Sequence, residues 1–168
     1  MTHDGRNDVL RPFPDQRHDH DACRSEALAQ VVAACAERGL RLTPLRRRVL
    51  ELIWSSHTPV KAYDLLDGLR REHAAAAPPT VYRALEFLVE QGFIHRIESL
   101  NAYIGCSEPE QAHQGQFLIC DSCGDAAELS DPDIAAVLRR KAEMLGFQLD
   151  VCTVELKGRC ARCETAAG

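Results

Sequence analysis

Residues 78–106 read PPTVYRALEFLVEQGFIHRIESLNAYIGC, and this stretch decides the fold of the N-terminal part of the chain. Pro78 suits the first position of a helix, because the backbone N–H that proline lacks has no intrahelical partner there. Apolar residues then recur at helical spacing until Gly92, a residue type that commonly ends helices. Two short β-type runs follow at residues 93–98 and 102–106. The stretch therefore predicts a helix followed by a β-hairpin.

Three further helices are predicted upstream of this stretch. The first begins near Ser25 and ends at Gly39, and Thr43 is a typical N-cap for the second. A third is predicted from about Lys61 to Glu72, with leucines on one face. Four helices and a hairpin form the order of a winged helix-turn-helix, whose recognition helix enters the major groove of DNA. The same order also fits a generic α+β domain that has no DNA partner.

The C-terminal part of the chain has the pattern of a small α/β domain. A short strand is predicted at residues 116–120, and a strand paired with it is predicted to end at residues 128–129. Asp131 is the expected N-cap of a helix that runs to Leu145, and alternation over residues 147–156 predicts another strand. A domain of about 60 residues buries only a small hydrophobic core. This part therefore needs a stabilising cross-link, such as a bound metal, or a partner.

The chain is therefore predicted to be an α+β protein in four parts. Its first residues are polar and show no periodicity, which is typical of disorder, although the run His18-Asp19-His20 also fits a weak metal clasp. The predicted parts are a disordered tail at residues 1–22, a winged-helix domain at 23–100, a hinge at 101–112 and an α/β domain at 113–168.

Composition and charge exclude several classes of protein. The sequence has neither an apolar run of about 20 residues nor a signal-peptide core, so we expect a cytoplasmic protein that does not span a membrane. Aromatic residues make up only 5%, which argues against a stacking surface for single-stranded nucleic acid. The net charge of −5 is concentrated in residues 101–168, whereas residues 21–100 carry +1 and a dense arginine run. Because phosphate binding depends on the local field, duplex DNA stays a candidate partner.

Two CxxC pairs give the strongest chemical signal in the sequence. Cys120 and Cys123 form the first pair, Cys160 and Cys163 the second, and 36 residues separate the pairs. Four thiolates close a tetrahedral structural Zn²⁺ site, so this part should unfold when zinc is removed. The alternatives are a thioredoxin-like redox pair, which needs only one CxxC at a helix start, and two disulfides, which cytosolic proteins rarely keep.

No catalytic motif is found in the sequence. HExxH, GxSxG, Walker A and GxGxxG are all absent, and no H-x-E precedes a CxxC pair as in zinc deaminases. The remaining candidate ligands are His95, Cys106, His113 and Glu128, each of which taken alone fits an ordinary packed or solvated residue. An enzyme is therefore the least favoured class.

Several motifs in this chain resemble the ferric uptake regulator (Fur) superfamily of metal-dependent repressors. The matching segments, in the order found in that superfamily, are Arg41-Leu42-Thr43-Pro44, Ala62-Tyr63-Asp64-Leu65-Leu66, Pro79-Thr80-Val81-Tyr82-Arg83-Ala84-Leu85, Glu90-Gln91-Gly92-Phe93-Ile94-His95 and the two CxxC pairs. They cover roughly residues 25–163. The PPTVYRAL form and the segment 117–124 resemble the zinc-uptake-regulator (Zur) type. Residues 107–119 also lack the His-rich run of iron- and peroxide-sensing members.

The resemblance implies a second, regulatory metal site. The positions that match the ligands of zinc-sensing members are His95, Cys106, His113 and Glu128. Two imidazoles, a thiolate and a carboxylate suit Zn²⁺, and the thiolate disfavours hard ions such as Mn²⁺. The loop before His113 looks about one residue short, so Glu108 or Glu110 is an alternative ligand. We therefore expect one structural and one regulatory Zn²⁺ per protomer.

The resemblance also implies contacts with DNA. The predicted DNA-binding residues are Tyr63, Thr80, Tyr82, Arg83 and Arg46. Asp67 and Arg70 match positions that pair between neighbouring dimers on DNA, although an i, i+3 pair within one helix fits them equally well. Arg83 fits either a bidentate contact with guanine or an ion pair with Glu86 or Glu90. The arginines at 46–48 fit either phosphate contacts or a solvated face.

Together these observations predict a zinc-responsive, homodimeric transcriptional repressor of zinc-uptake genes with zinc as co-repressor. Its partner is predicted to be a palindromic double-stranded operator, which two dimers can occupy, and its C-terminal domain is predicted to mediate dimerisation. One alternative keeps the family but senses iron, manganese or peroxide. Another, from a different class, is a zinc-stapled protein-interaction adaptor that does not bind DNA.

Overall fold

A computed structural model describes residues 9–14, 19–72, 76–109 and 115–166. The chain forms two compact units. The larger unit comprises Pro14–Ala112, and the smaller unit combines Met1–Phe13 with His113–Gly168. In chain order the elements are β1 (Val9–Arg11), α1 (His20–Glu37), α2 (Pro44–Ile53), β2 (Val60–Lys61), α3 (Ala62–Glu72), α4 (Pro78–Glu90), β3 (Ile94–Ile97), β4 (Ala102–Gly105), β5 (Gln116–Cys120), β6 (Ala126–Leu129), α5 (Pro132–Met144), β7 (Val154–Gly158) and α6 (Ala161–Thr165).

The larger unit is a winged helix, as the order of its elements predicts. It combines helices α1 to α4 with a three-stranded antiparallel sheet of strand order β2-β4-β3, whose strand β2 lies between α2 and α3 in the chain. The apolar faces of the four helices meet in one core that also includes Phe93, just before β3, and Ile94 and Tyr103 from the sheet. The fully buried side chains of the core helices include Val49, Leu50, Leu65, Leu69, Leu85 and Leu88. This core holds α4 and the β3–β4 hairpin as one body.

Local sequence signals set the ends of these helices. The Thr43 hydroxyl accepts a hydrogen bond from the Arg46 N–H at 3.3 Å, and Pro44 occupies the first turn of α2. Pro78 opens α4 in the same way. Gly39 and Gly92 follow α1 and α4 with φ angles of +65° and +72°, a left-handed conformation that costs glycine no steric strain. The predicted caps of these helices are therefore confirmed.

The smaller unit contains a four-stranded sheet and the helices α5 and α6. Its strand order is β1-β6-β5-β7, with β5 antiparallel to β6 and parallel to β7. The Asp131 side chain caps α5 by accepting from the N–H groups of Asp133 and Ile134. The Gln116 side chain holds this start in place, because its amide donates to the Asp131 carbonyl at 2.8 Å and accepts from the Asp131 N–H at 3.2 Å.

The structure corrects three predicted boundaries. Residues 1–22 are not a continuous disordered tail, because Val9–Arg11 forms a strand paired with β6 and α1 begins at His20. Residues 101–112 are not all hinge, since Ala102–Gly105 is the central strand of the wing sheet. The strand predicted at 147–156 lies instead at Val154–Gly158, where pairing with β5 supplies the backbone partners. In the described ranges, no helix is long and apolar enough to cross a membrane.

Candidate metal centres and nucleic-acid interface

The four cysteines of the CxxC pairs converge within the smaller unit. Cys120 ends β5, Cys123 lies in the turn that follows, and Cys160 and Cys163 lie at the start of α6. The parallel register that places Cys120 opposite Gly158 brings the second pair beside the first. All four sulfur atoms lie within 4.8 Å of one another. Tertiary structure thus unites two pairs that are far apart in sequence.

The donor set and its spacing fit a tetrahedral zinc ion. With Zn–S bonds of about 2.3 Å, two sulfurs of a tetrahedral site are about 3.8 Å apart. The Sγ atoms of Cys123 and Cys160 are 3.9 Å apart. None of the eight cysteines forms a disulfide, and this separation is far longer than a disulfide bond of about 2.05 Å. The geometry therefore favours a metal centre over the disulfide alternative.

The electrostatics of the cluster explain why four thiols need a cation. Backbone N–H groups of Cys123 and Cys160 hydrogen-bond the Cys120 sulfur and lower its pKa to about 6, with the Cys160 nitrogen 3.4 Å away. The hydrogen bond with the Cys160 thiol, together with desolvation, raises the pKa of Cys163 to about 12. Without a cation, one thiolate makes ionisation of its neighbours unfavourable. A divalent ion among the sulfurs removes that repulsion.

Two predicted regulatory ligands lie together on the wing. His95 is in β3, opposite Ile104, and Cys106 directly follows β4. The Cys106 N–H donates to the Phe93 carbonyl at 3.1 Å, which fixes the cysteine at the base of the hairpin. The imidazole of His95 and the sulfur of Cys106 lie within 4.8 Å of each other. Cys106 is buried and His95 is half-buried.

The other predicted regulatory ligands belong to other parts of the chain. Glu128 belongs to the smaller unit, where it lies on β6 and is fully buried. His113 and its alternative Glu110 lie outside the described residues, and Glu108 is exposed. The sequence-based prediction missed Arg11, which is 5% exposed and opposes Glu128 in the β1–β6 register. A three-residue strand gives no periodicity from which this could have been predicted.

The candidate DNA-facing residues lie on exposed helix surfaces. Thr80, Tyr82 and Arg83 are exposed in the first two turns of α4, and Tyr63 is exposed in the first turn of α3. Tyr82 is 50% and Tyr63 is 67% exposed, which is high for aromatic side chains. Among the described residues, no ion pair joins Arg83 to an acidic neighbour. Its guanidinium is therefore available for an external partner.

The arginine run of α2 is engaged inside the larger unit. Arg46 donates to the Arg41 carbonyl at 2.7 Å, and its guanidinium lies 3.5 Å from the centre of the Phe87 ring. Arg48 bridges α2 to α3 through Glu72, and this hydrogen bond raises the pKa of Arg48. These contacts connect α2 to α4 and α3. Positive charge in this run thus contributes to packing, a role that the sequence did not reveal.

The described ranges show no intrahelical pair between Asp67 and Arg70. Arg70 instead donates to the Ala76 carbonyl at 3.4 Å. Asp67 is half-buried and Arg70 is exposed. The alternative role suggested for these two residues, an i, i+3 ion pair, is therefore absent from the structure.

Comparison with known proteins adds independent evidence. The pattern of the ferric uptake regulator family matches residues 37–157. The chain belongs to the ferric uptake regulator family. This membership confirms the resemblance inferred from the TVYR segment and the CxxC pairs.

Several similar proteins within the family are zinc uptake regulators. The chain is 44% identical over 139 residues to the zinc uptake regulation protein of Escherichia coli strain K12, which covers 82% of this chain and 81% of that protein. Its structure is similar to a zinc uptake regulator complexed with zinc and DNA, with a TM-score of 0.81, 43% identity and coverage of 86% and 98%. The crystal structure of holo XcZur is also similar, with a TM-score of 0.78, 51% identity and coverage of 84% and 99%.

Proposed function

We propose that this protein is a zinc-responsive, DNA-binding repressor of zinc-uptake genes that uses zinc as co-repressor. The observation that carries this proposal is the His95–Cys106 pair on the wing of a winged helix, with ligand atoms within 4.8 Å of each other. An imidazole and a thiolate together select zinc over the hard ions. Its position on the wing links metal occupancy to the element that contacts DNA. The 44% identity to the zinc uptake regulation protein of E. coli supports the same function.

The structural metal of this proposal is one Zn²⁺ held by the four-cysteine cluster. Cys120, Cys123, Cys160 and Cys163 would supply a closed set of four thiolates with no open position. Such a site stabilises a fold and carries out no hydrolysis, so we infer a regulator and not an enzyme. The thin smaller unit is the part of the chain that needs this support, because helix α5 contains no buried residue.

The regulatory metal would be a second Zn²⁺ in each protomer. We assign its ligands as His95, Cys106, His113 and Glu128, with Glu108 or Glu110 as the alternative to His113. These ligands come from both units, so a bound zinc ion would favour one spacing of the two recognition helices of a dimer. Moving such an equilibrium from 1:99 to 99:1 requires about 5.5 kcal/mol of differential binding, a fraction of the energy of a zinc site.

The proposed DNA interface is the exposed surface of α4 with support from α2 and α3. Arg83 would read guanine through a bidentate contact, with Thr80, Tyr82 and Tyr63 beside it. Arg46 donates one N–H group to the Arg41 carbonyl, and its remaining N–H groups would contact phosphate. The operator would be a palindromic DNA sequence, which the protein would bind in the cytoplasm. Asp67 and Arg70 would pair between two dimers on this operator.

The surface of the smaller unit supports a homodimer. Its described residues include five large apolar side chains that are at least half exposed: Met144, Leu145, Phe147, Val151 and Leu156. Soluble monomers rarely leave so much apolar surface open, so we infer that a second copy covers it. A dimer then presents two α4 helices to the two halves of a palindrome.

The experiment that tests this function measures zinc per protomer together with operator binding. We expect two tightly bound zinc ions in the purified protein, one after mild EDTA treatment, and loss of operator binding that added zinc restores. The double variant His95→Ala/Cys106→Ala should keep one zinc and its fold but lose zinc-dependent binding. The matched control His3→Ala/Cys152→Ala removes the same two side-chain types elsewhere and should behave like the wild type.

Other outcomes would assign a different function. Occupancy by iron or manganese, or oxidation of the ligands, would indicate a family member with another signal. Failure to shift any palindromic AT-rich operator at low salt would favour the protein-interaction adaptor, since specific DNA binding depends steeply on salt. Zinc-dependent repression by the His95→Ala/Cys106→Ala variant would contradict the regulatory site.

A further inference from the structure

Two histidines outside the sites described above meet inside the larger unit. His20 is the first residue of α1, and His57 lies in the connection between α2 and β2. The Nδ1 atom of His20 is 3.3 Å from the Nε2 atom of His57, and the ring planes are tilted by 56° with centroids 5.0 Å apart. His57 is only 7% exposed, although histidine at a loop position is normally solvated. This pair ties together residues that are 37 positions apart in the sequence.

The separation of the two nitrogens matches a shared metal ion. With metal–nitrogen bonds of 2.0–2.1 Å, two imidazole ligands of a tetrahedral ion are about 3.3 Å apart. The same separation also fits a direct N–H···N hydrogen bond in which one ring donates and the other accepts. Rings tilted by 56° can direct both nitrogens to one point between them, whereas stacked parallel rings cannot. The geometry therefore suits two ligands of one cation.

The loop that carries His57 is fixed by its own hydrogen bonds. The Ser56 hydroxyl donates to the Thr58 carbonyl at 3.1 Å and accepts from the Thr58 N–H at 3.3 Å. These bonds hold the backbone on both sides of His57. The imidazole is consequently presented toward α1 by a preorganised turn, which lowers the entropic cost of binding a ligand.

The charges near His20 also suit a cation. The N-terminus of a helix carries partial positive charge, which by itself disfavours a cation there. Asp19 and Asp21 flank His20, and the Asp19 carboxylate already caps the helix by accepting from the Ala22 N–H at 3.0 Å. Cys23 lies one turn along α1, on the same side of the helix as His20. The Asp19 carboxylate offsets the helix dipole, whereas the Asp21 carboxylate pairs with Arg24 at 3.1 Å.

We propose that His20 and His57 bind a late first-row divalent cation such as Zn²⁺. The bound cation would connect the start of α1 to the α2–β2 connection. This site lies within the winged helix and uses no residue of the structural or regulatory site. Two imidazole nitrogens from the protein leave coordination positions for water. The proposal does not depend on the proposed function.

The test counts zinc ions bound by the full-length protein. Zinc-loaded protein is titrated with further Zn²⁺ against a chromophoric chelator, and the unfolding temperature is followed through Trp54, the single tryptophan. We expect His20→Asn and His57→Asn each to lose one equivalent and the part of the thermal shift that it causes. The control His73→Asn should retain both the zinc equivalent and the thermal shift of the wild type. His20 is half-buried in the first turn of α1, so the His20→Asn variant should fold even if His57→Asn does not.

The result that would overturn the proposal is a His20→Asn protein that binds as many zinc equivalents as the wild type. The pair would then be a hydrogen bond only. Failure of the regulatory site would look different. It would remove one equivalent from the wild-type total while the His20→Asn variant still binds one fewer than the wild type.

Discussion

Gly105 shows how a single residue positions the wing. A Cβ atom built on this glycine would overlap the indole ring of Trp54, which ends α2 and is 3% exposed. The indole therefore packs directly against the backbone of β4, next to the proposed ligand Cys106. Only glycine permits this approach, because every other residue places a carbon where the ring lies.

We predict that Gly105→Ala destabilises the larger unit by about 1–3 kcal/mol, because a fully packed core must shift to admit one more carbon. The measurement is urea denaturation followed by Trp54 fluorescence. Gly158→Ala is the matched control, since a Cβ on Gly158 meets no atom within 4 Å. Equal stability of Gly105→Ala and the wild type would show that the indole can move without cost.

Strand β1 forms one edge of the sheet in the smaller unit. It covers the edge of β6 and places Arg11 opposite the fully buried Glu128. Directly opposed residues of antiparallel strands lie on the same face of a sheet, so a basic residue accompanies this buried carboxylate. The N-terminal segment is thus a part of the smaller unit although it is distant in sequence.

Deletion of residues 1–13 should destabilise the smaller unit, whereas deletion of residues 1–8 should not, because only the longer deletion removes β1. We expect a loss of about 1–3 kcal/mol, the cost of a buried charged group that loses a polar neighbour. Hydrogen exchange of the β6 amides measures the effect directly. Equal exchange in both truncated proteins would contradict a stabilising role for β1.

Helix α4 presents the residues that we expect to recognise bases. Arg83→Lys should reduce discrimination at one base pair by about 1–3 kcal/mol, because lysine lacks the planar fork that matches guanine. Competition between wild-type and substituted operators measures this loss. Arg71→Lys, at the end of α3, is the control and should leave specificity unchanged. A uniform loss on all operators would instead identify Arg83 as a phosphate contact.

At the scale of the whole molecule, the two units differ in what stabilises them. The larger unit has a continuous core from four helices and a sheet. In the smaller unit, helices α5 and α6 contain no buried residues, and the four cysteines lie where β5 and α6 meet. A structural zinc is worth about 10–16 kcal/mol in small metal-dependent domains, more than such a core contributes.

We therefore predict that strong chelation unfolds the smaller unit and leaves the larger one folded. Amides of β5 and β7 should lose their protection from hydrogen exchange, while the emission of the buried Trp54 should stay as in the native protein. Returning zinc under reducing conditions should restore protection. A simultaneous loss of both signals would mean that the two units unfold as one.

The sequence by itself determined the local features of this protein. Helix order, the caps at Thr43 and Asp131, and the turns at Gly39 and Gly92 follow from residues close together in the chain, which is why they were predictable. The two CxxC pairs also indicated a metal from their spacing alone. The resemblance to one family supplied the functional assignment of scattered residues such as His95.

Only the tertiary structure decided which distant residues meet. The parallel pairing of β5 with β7 unites the four cysteines, and β1 joins β6 across more than 100 residues of sequence. The contact of Arg46 with Phe87 and the meeting of His20 with His57 likewise depend on how helices and loops pack. Such contacts leave no period in the sequence, because their partners are fixed by long-range packing and not by local backbone preference.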